Sequence, residues 1–273
     1  MAKKKITPTR KVIKAKPAVK SKPPAKPAAK SKTVAKPKPV VKTKVEAKPK
    51  PVVTIKEKNK EAIIPEFKIK HVAVAGNIGA GKTTLTKLLG KHYNWEAHYE
   101  DVENNPYLYD FYQDMPRWAF NLQIYFLNNR FKQILEIQKG SKTVIQDRTI
   151  YEDAQIFAPN LHSMGLMSTR DFQNYSEIFN TITSLISPPD LLIYLRGSIP
   201  ALVNQIQKRG REYEDNLRLD YLRRLNEYYE SWIGKYRLGK LLVIDIEQVN
   251  FAESNDDLGE VINKVNRELF GLF

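Results

Sequence analysis

Cysteine is absent from the 273-residue chain. That removes disulfides, thiolate metal sites and cysteine nucleophiles together. Long apolar runs are absent too: none approaches the roughly 18 residues needed to cross a bilayer. The basic N-terminus is not followed by the apolar stretch of a secretory signal. These absences lead us to expect a cytoplasmic protein without membrane contact. Aromatic residues are missing before Phe67. Acidic residues are scarce there as well: residues 1–60 hold 21 Lys+Arg and 2 Asp+Glu, a net of +19. The remainder holds 45 − 21 = 24 basic and 30 − 2 = 28 acidic residues, a net of −4. The basic character therefore belongs to the N-terminal segment, and the rest of the chain has an ordinary, slightly acidic composition.

That segment is built from Lys, Pro, Ala and Val in loose repeats such as "AKPKPVV". It has too little apolar surface to offset the entropy of ordering, and its prolines block helices and central strands. A disordered, partly polyproline-like tail is expected over residues 1–62. Its charge suits non-specific contact with a polyanion; a merely solubilising extension fits the composition equally.

From residue 66 the pattern changes. "FKIKHVAVAG" reads as a strand buried on both faces, and residues 82–92 as a helix. "EAHYE" is a short second strand. Helices come next at 105–113 and 117–138, separated by Pro116. "KTVIQ" is a third strand, with helical patterns at 150–162 and 169–187. "PDLLIYL" is a fourth, with helices at 199–209 and 216–236, and "KLLVIDI" a fifth before a closing helix. Short apolar strands alternating with helices predict a parallel sheet covered on both faces. With right-handed crossovers this is a three-layer α/β domain over residues 66–273.

Residues 76–83 read "GNIGAGKT", directly after the first strand and opening a helix. This is the phosphate-loop (P-loop) pattern in its required context. Gly76, Gly79 and Gly81 let the backbone curl so that amide N–H groups point at phosphate oxygens. The run Gly76, Asn77, Ile78, Gly79, Ala80, Gly81, Lys82, Thr83 and Thr84 is expected to wrap the phosphates of ATP. Lys82 supplies positive charge, and the Thr83 hydroxyl a ligand for Mg²⁺. The loop does not say which group receives the phosphate.

The acceptor side must lie at the carboxyl ends of the strands, where open parallel sheets bind ligands. Glu100 closes the second strand and can take the proton of an attacking hydroxyl; Asp101 and Glu103 compete for that role. Asp147 and Arg148 close the third strand, the first placed to organise Mg²⁺, the second to neutralise a transferring phosphate. Arg209 and Arg211, in "QKRGREYE", suit a mobile lid. On the helix at 117–138, Phe120, Gln123, Leu127 and Arg130 share one face. Burying Gln and Arg is costly unless both find partners, and the edge of a planar base would supply them. Asp153 and Phe157 share a face of the next helix. Asp153 could pair with Arg130 and Phe157 could stack on a base; a structural Arg–Asp pair is the competing reading. Ile124, Phe131 and Leu135 form a second apolar face, which calls for a homodimer contact unless it packs on the sheet.

"GNIGAGKT", "YEDVENNPYL", "PRWAFNLQ" with Arg130 seven residues on, "DRTIYEDAQIF" and "KRGREYE" occur in this order. Together they resemble the deoxynucleoside kinase family over about residues 68–273, most of all its bacterial purine-specific members. The resemblance implies ATP-dependent, Mg²⁺-assisted phosphorylation of a deoxynucleoside 5′-hydroxyl, for nucleotide salvage, in a P-loop kinase fold with an Arg-rich lid. It implies Glu100 as general base, Tyr112 and Glu214 on the sugar 3′-hydroxyl, and Gln123 on the base edge with Arg130 and Asp153 beside it. It also implies Phe157 as stacking ring, Arg148 near the 5′-oxygen, and Arg209 and Arg211 in the lid. Asp147 and Thr149 stand where the family often has Glu and Ser, and Asp101 where it commonly has Pro. Gln205 replaces a lid arginine of some members. The Arg130/Asp153 pair points to a purine or cytosine base with an amino group, deoxyadenosine first, then deoxyguanosine or deoxycytidine. Two alternatives are a nucleoside monophosphate kinase of the same fold and a nucleic-acid-binding or inactive partner subunit.

Deleting residues 1–60 is expected to leave kcat/KM for phosphoryl transfer unchanged. Retention on an immobilised polyanion should then be largely lost, because the excess positive charge leaves with the tail. Loss of activity in a truncated protein that stays folded would show that the tail contributes to the site.

Overall fold

The computed structural model describes residues 69–100, 104–211 and 217–271. The expected tail over 1–62, the alternative bases Asp101 and Glu103, and Glu214 lie outside these residues.

Among the described residues, five strands form one parallel sheet: β1 (His71–Gly76), β2 (Glu96–His98), β3 (Val144–Asp147), β4 (Leu191–Arg196) and β5 (Lys240–Asp245). Their order across the sheet is β2-β3-β1-β4-β5. The chain leaves β1 for the β2 edge, returns through β3, then crosses to β4 on the other side. The point of reversal is therefore the carboxyl end of β1, where ligands of such sheets bind. Register brings the strand ends together there: Val74 lies opposite Asp147, and Gly76 opposite Leu195.

Strand composition explains the three layers. β1 is buried at every position, and its side chains alternate between two cores. Ala73 and Ala75 face one cluster, Val72 and Val74 the other. The first cluster is completed by α2 (Leu108–Gln113), α3 (Met115–Lys139), α5 (Ala158–Ser163), α6 (Thr169–Thr183) and α8 (Leu219–Lys235). The second is completed mainly by α1 (Lys82–Tyr93), α7 (Ile199–Arg209) and α9 (Asn255–Phe270). Each fully buried Leu, Ile or Val contributes about 1.5–3 kcal/mol, so the sheet is stabilised from both faces.

Several boundaries differ from expectation for local reasons. Pro116 lies inside the first turn of α3, not between two helices: Asp114 caps the helix by accepting from the Arg117 N–H, and a first-turn proline forfeits no helical hydrogen bond. α2 starts at Leu108, because the Asn105 side chain accepts from the Tyr107 N–H and holds the approach as a turn. The segment expected as one helix over 150–162 is broken. α4 (Ile150–Glu152) passes into a π-helical turn, Asp153–Phe157, before α5. Such turns are frequent at functional sites because they re-aim side chains. Phe120 sits beside Ile124 and Phe131 in an apolar groove between α3 and α6, although its spacing also matches the Gln123 face.

Gly79 needs its lack of a side chain twice over. Its φ is 86°, and a Cβ would lie 2.6 Å from the Leu202 carbonyl oxygen and 2.8 Å from Ile206 Cγ1. α7 thus packs directly on the phosphate loop, then runs on to Arg209 and Arg211.

Candidate active site

The Gly76–Thr83 loop joins β1 to α1 and curls through Gly79 and Gly81, both in the left-handed region. Lys82 is buried at the start of α1, and its ammonium donates to the loop's own Asn77 carbonyl at 3.1 Å. Burial, with Arg148 nearby, lowers its pKa to about 8, against the opposing pull of Asp147, Glu152 and Glu100. The ammonium form still predominates at neutral pH, and anionic phosphate oxygens would raise the pKa again. Asn77 is buried and donates to the Leu222 carbonyl and to Asn226, both on α8. It therefore fastens the loop to α8. Ile78 lines the cavity beside Gly79.

Thr83 Oγ1 donates to Asp147 Oδ2 at 2.5 Å, across the gap between α1 and the end of β3. Asp147 Oδ1 is buried without a hydrogen-bond partner among the described residues. A hydroxyl and a carboxylate converging on one point, with an acceptor oxygen left over, fit a hard divalent cation that keeps most of its ligands as water and phosphate. Mg²⁺ suits that donor set.

Glu100 lies two residues beyond β2 at the mouth of the crevice. Its Oε1 is 2.7 Å from Arg130 Nη2 and 3.4 Å from Arg148 Nε. Burial alone would raise its pKa, but Arg148, Arg130 and Lys82 outweigh it and hold the carboxyl at about 2. The group is therefore an ionised proton acceptor at any physiological pH. Its backbone is held by a run of amides. Gln133 donates to the Tyr99 carbonyl at 3.0 Å, Gln146 to Gln133 at 2.8 Å, and the His71 ring meets Gln146 at 3.0 Å. The direction of this chain makes His71 Nε2 the donor. Burial lowers the His71 pKa to about 4, so its ring is neutral.

Arg148 adopts φ 71°, unusual for a residue with a side chain and costing about 1–3 kcal/mol. Its guanidinium lies 4.6 Å above the Phe157 ring, and its Nη1 donates to the Tyr229 hydroxyl at 2.9 Å. Tyr229 in turn donates to Glu152 Oε1 at 2.8 Å. Glu152 has no exposed surface, and it also accepts from Gly76 N–H at 3.2 Å and Thr149 N–H at 2.6 Å.

The base-edge residues sit deeper. Gln123 is 2% exposed, and among the described residues its amide oxygen has no hydrogen-bond partner. Asp153, the first residue of the π-helical turn, lies 2.6 Å from Arg130 Nε. Burial pushes its carboxyl up, and Arg130 and Arg148 oppose that push. Arg130 is thus occupied by two carboxylates and stands behind the cavity wall.

One cavity of about 360 Å³ gathers most of these groups. Lys82, Arg148, Arg209 and Arg211 give it a cationic part beside Thr83 and Asp147, and Glu100 adds a second carboxylate. Tyr112, Gln123, Asp153 and Phe157 give it an aromatic part with a few polar groups. Such a lining suits a planar base joined to a phosphate-reactive hydroxyl. Gly76, Ala80, Gly81 and Thr84 are not among the residues that line the cavity. Sequence reasoning missed Glu152, Tyr229 and the Gln133–Gln146 relay. Glu152 carried a readable signal, since "TIYE" is a capping-box spacing and the box forms with Thr149. Tyr229 carried none, being 77 residues from its partner Glu152.

Comparison with known proteins agrees with this geometry. The family model described as Deoxynucleoside kinase matches residues 72–270. A Bacillus subtilis deoxyadenosine/deoxycytidine kinase is 38% identical over 208 residues, covering 76% of this chain and 95% of its own length. A Dictyostelium discoideum deoxyadenosine kinase is 37% identical over 209 residues, 74% of this chain and 85% of its own. The solved structure of M. mycoides deoxyadenosine kinase with bound dATP superposes with a TM-score of 0.64 at 31% identity, covering 72% of this chain and 99% of that one. With the family model matching from β1 almost to the end of α9, and relatives above 30% identity aligned over most of their length, the chain belongs to the deoxynucleoside kinase family.

Proposed function

We propose that the protein transfers the γ-phosphate of ATP to the 5′-hydroxyl of a deoxynucleoside, with Glu100 as general base. The observation that carries this reading is convergence: Lys82, Thr83, Asp147, Arg148 and Glu100 line the same cavity as Gln123 and Phe157. Glu100 accepts the hydroxyl proton as the 5′-oxygen bonds to the γ-phosphorus, and the bond from that phosphorus to the β–γ bridging oxygen breaks to release ADP. Lys82 and Arg148 offset charge gathering on the transferring oxygens. Thr83 and Asp147 would hold Mg²⁺, which when bound neutralises and orients the β and γ phosphates. Arg209 and Arg211 close on the phosphates from the end of α7, and Glu214 with Tyr112 takes the 3′-hydroxyl. A cytoplasmic role in nucleotide salvage fits the cysteine-free composition. For the Lys-rich segment over 1–62 we propose only a non-specific attraction to polyanions, on the strength of its charge.

Deoxyadenosine is the favoured acceptor. An amide can turn to serve either an amino or a carbonyl edge, so Gln123 does not choose between bases. Asp153, paired with Arg130 at 2.6 Å, is the group we expect to choose: burial raises its carboxyl pKa to about 7, Arg130 favours the ionised form, and that form accepts from an exocyclic amino group and not from a carbonyl oxygen. The B. subtilis and D. discoideum relatives are named for deoxyadenosine or deoxycytidine, which supports this order, while deoxyguanosine kinases of Lactobacillus at 36% identity keep deoxyguanosine next to it.

A homodimer is the assembly we favour. Phe120, Ile124 and Phe131 on α3 and Ile178 and Ile182 on α6 line one half-buried apolar groove, and an equivalent groove on a second copy is its natural cover.

Glu100→Gln should lower turnover by a factor on the order of 10² to 10⁴, with ATP binding preserved; near-normal turnover would move the role to Asp101 or Glu103. With the four deoxynucleosides compared by ADP release, kcat/KM should be highest for deoxyadenosine and on the order of 10² lower for thymidine. A thymidine optimum would defeat the assignment of Asp153. Light scattering at micromolar concentration should give twice the chain mass, and Phe131→Asp should give the single mass.

A further inference from the structure

Arg148 stands between two carboxylates, with Glu100 Oε1 3.4 Å from its Nε and Glu152 Oε1 3.8 Å from its Nη1. Nothing in its own strand keeps it midway, since β3 has ended and its backbone is in the left-handed region. What stands on its far side is the Tyr229 hydroxyl. That hydroxyl has one hydrogen, committed to Glu152 Oε1 at 2.8 Å, so it meets Arg148 Nη1 at 2.9 Å as an acceptor. The direction of both bonds is therefore fixed. Tyr229 cannot turn away, because its ring lies between Tyr194, stacked at 5.8 Å, and Phe157, edge-on at 6.5 Å. Glu152 cannot turn away either, because its two oxygens are fixed by the backbone N–H groups of Gly76 and Thr149.

We infer that Tyr229 and Glu152 are positioning residues for phosphoryl transfer: they draw Arg148 back from Glu100, so that the guanidinium serves the phosphate and the carboxylate stays a base. The inference rests on the phosphoryl-transfer function proposed for this site. A guanidinium released from Tyr229 can close its 3.4 Å approach to Glu100 into a second hydrogen-bonded ion pair beside the one with Arg130, which would weaken the carboxylate further as a base and withdraw Arg148 from the transferring oxygens. The Gly76 contact gives the same carboxylate a second task. It references the arginine to the first residue of the phosphate loop, so the cation and the nucleotide site share one anchor. Tyr229 is on α8, the helix that comes after the lid, so the arrangement also joins the lid side of the molecule to the loop.

The test is a double-mutant cycle on the full chain, read as the single-turnover rate with saturating ATP, Mg²⁺ and deoxyadenosine. Tyr229→Phe removes only the hydroxyl. It should slow transfer on the order of tenfold, the scale of one orienting hydrogen bond, while KM for both substrates moves less than about twofold. In the Arg148→Lys background the same change should cost less than about twofold, because its effect passes through Arg148. An unchanged rate for Tyr229→Phe, or an equal loss in both backgrounds, overturns the inference. If Tyr229→Phe melts below the assay temperature, Glu152→Gln takes its place in the cycle and is judged by the same two criteria. A wild-type protein that turns over none of the four deoxynucleosides would instead remove the kinase reading itself.

Discussion

A carboxylate with no solvent contact ties the nucleotide half of the site to the acceptor half. Glu152 accepts from Gly76 N–H at the end of β1, from Thr149 N–H beside Arg148, and from the Tyr229 hydroxyl on α8. Burying an ionised carboxylate costs several kcal/mol unless its lone pairs are filled. Here the fillers come from three separate elements, so the group is tolerable only when β1, the β3 loop and α8 are all in place. The local fold is a consequence. The β3 loop must present Thr149 as a helix cap, and Arg148 must take a left-handed backbone to do so. Asn77, bonded to α8 through Leu222 and Asn226, fastens the other side of the same junction.

Charge in the crevice is balanced before any ligand arrives. Lys82, Arg130 and Arg148 face Glu100, Asp147, Glu152 and Asp153 within one buried cluster. Each cation lies close to more than one acid, so no charge in the cluster is buried without an opposite one beside it. Lys82 and Arg148 line the cavity, whereas Arg130 is spent on holding Glu100 and Asp153. An arginine of the second kind organises the wall and an arginine of the first kind meets the substrate. The two look alike in a sequence.

That difference marks how far the sequence could be read. The strand and helix order was legible because β1 and β4 are continuous apolar runs and α1 and α7 carry clear start and stop residues. The phosphate loop was legible because glycines, Lys82 and Thr83 are contiguous. Glu100, Asp147 and Arg148 were legible because strand ends in a parallel sheet face the crevice. Local competition hid the rest. Pro116 reads as a break until Asp114 is seen to cap the helix ahead of it. Residues 150–162 read as one helix because the π-helical turn keeps a helix-like spacing while shifting its register. Phe120 belongs by spacing to two faces of α3, and packing against α6 decides between them. Tyr229 and the Gln133–Gln146 relay depend on contacts far apart in the chain, which no periodicity records.

Gly79 leaves α7 and the phosphate loop in contact with no clearance for even a methyl group. Two elements in such contact share one boundary: the loop at Gly79 has Leu202 and Ile206 directly against it. Both belong to α7, the helix that ends at Arg209. The same tightness constrains the sequence. A side chain at position 79 would need Leu202 and Ile206 to give way, so the sequence of the loop and the placement of α7 are specified together.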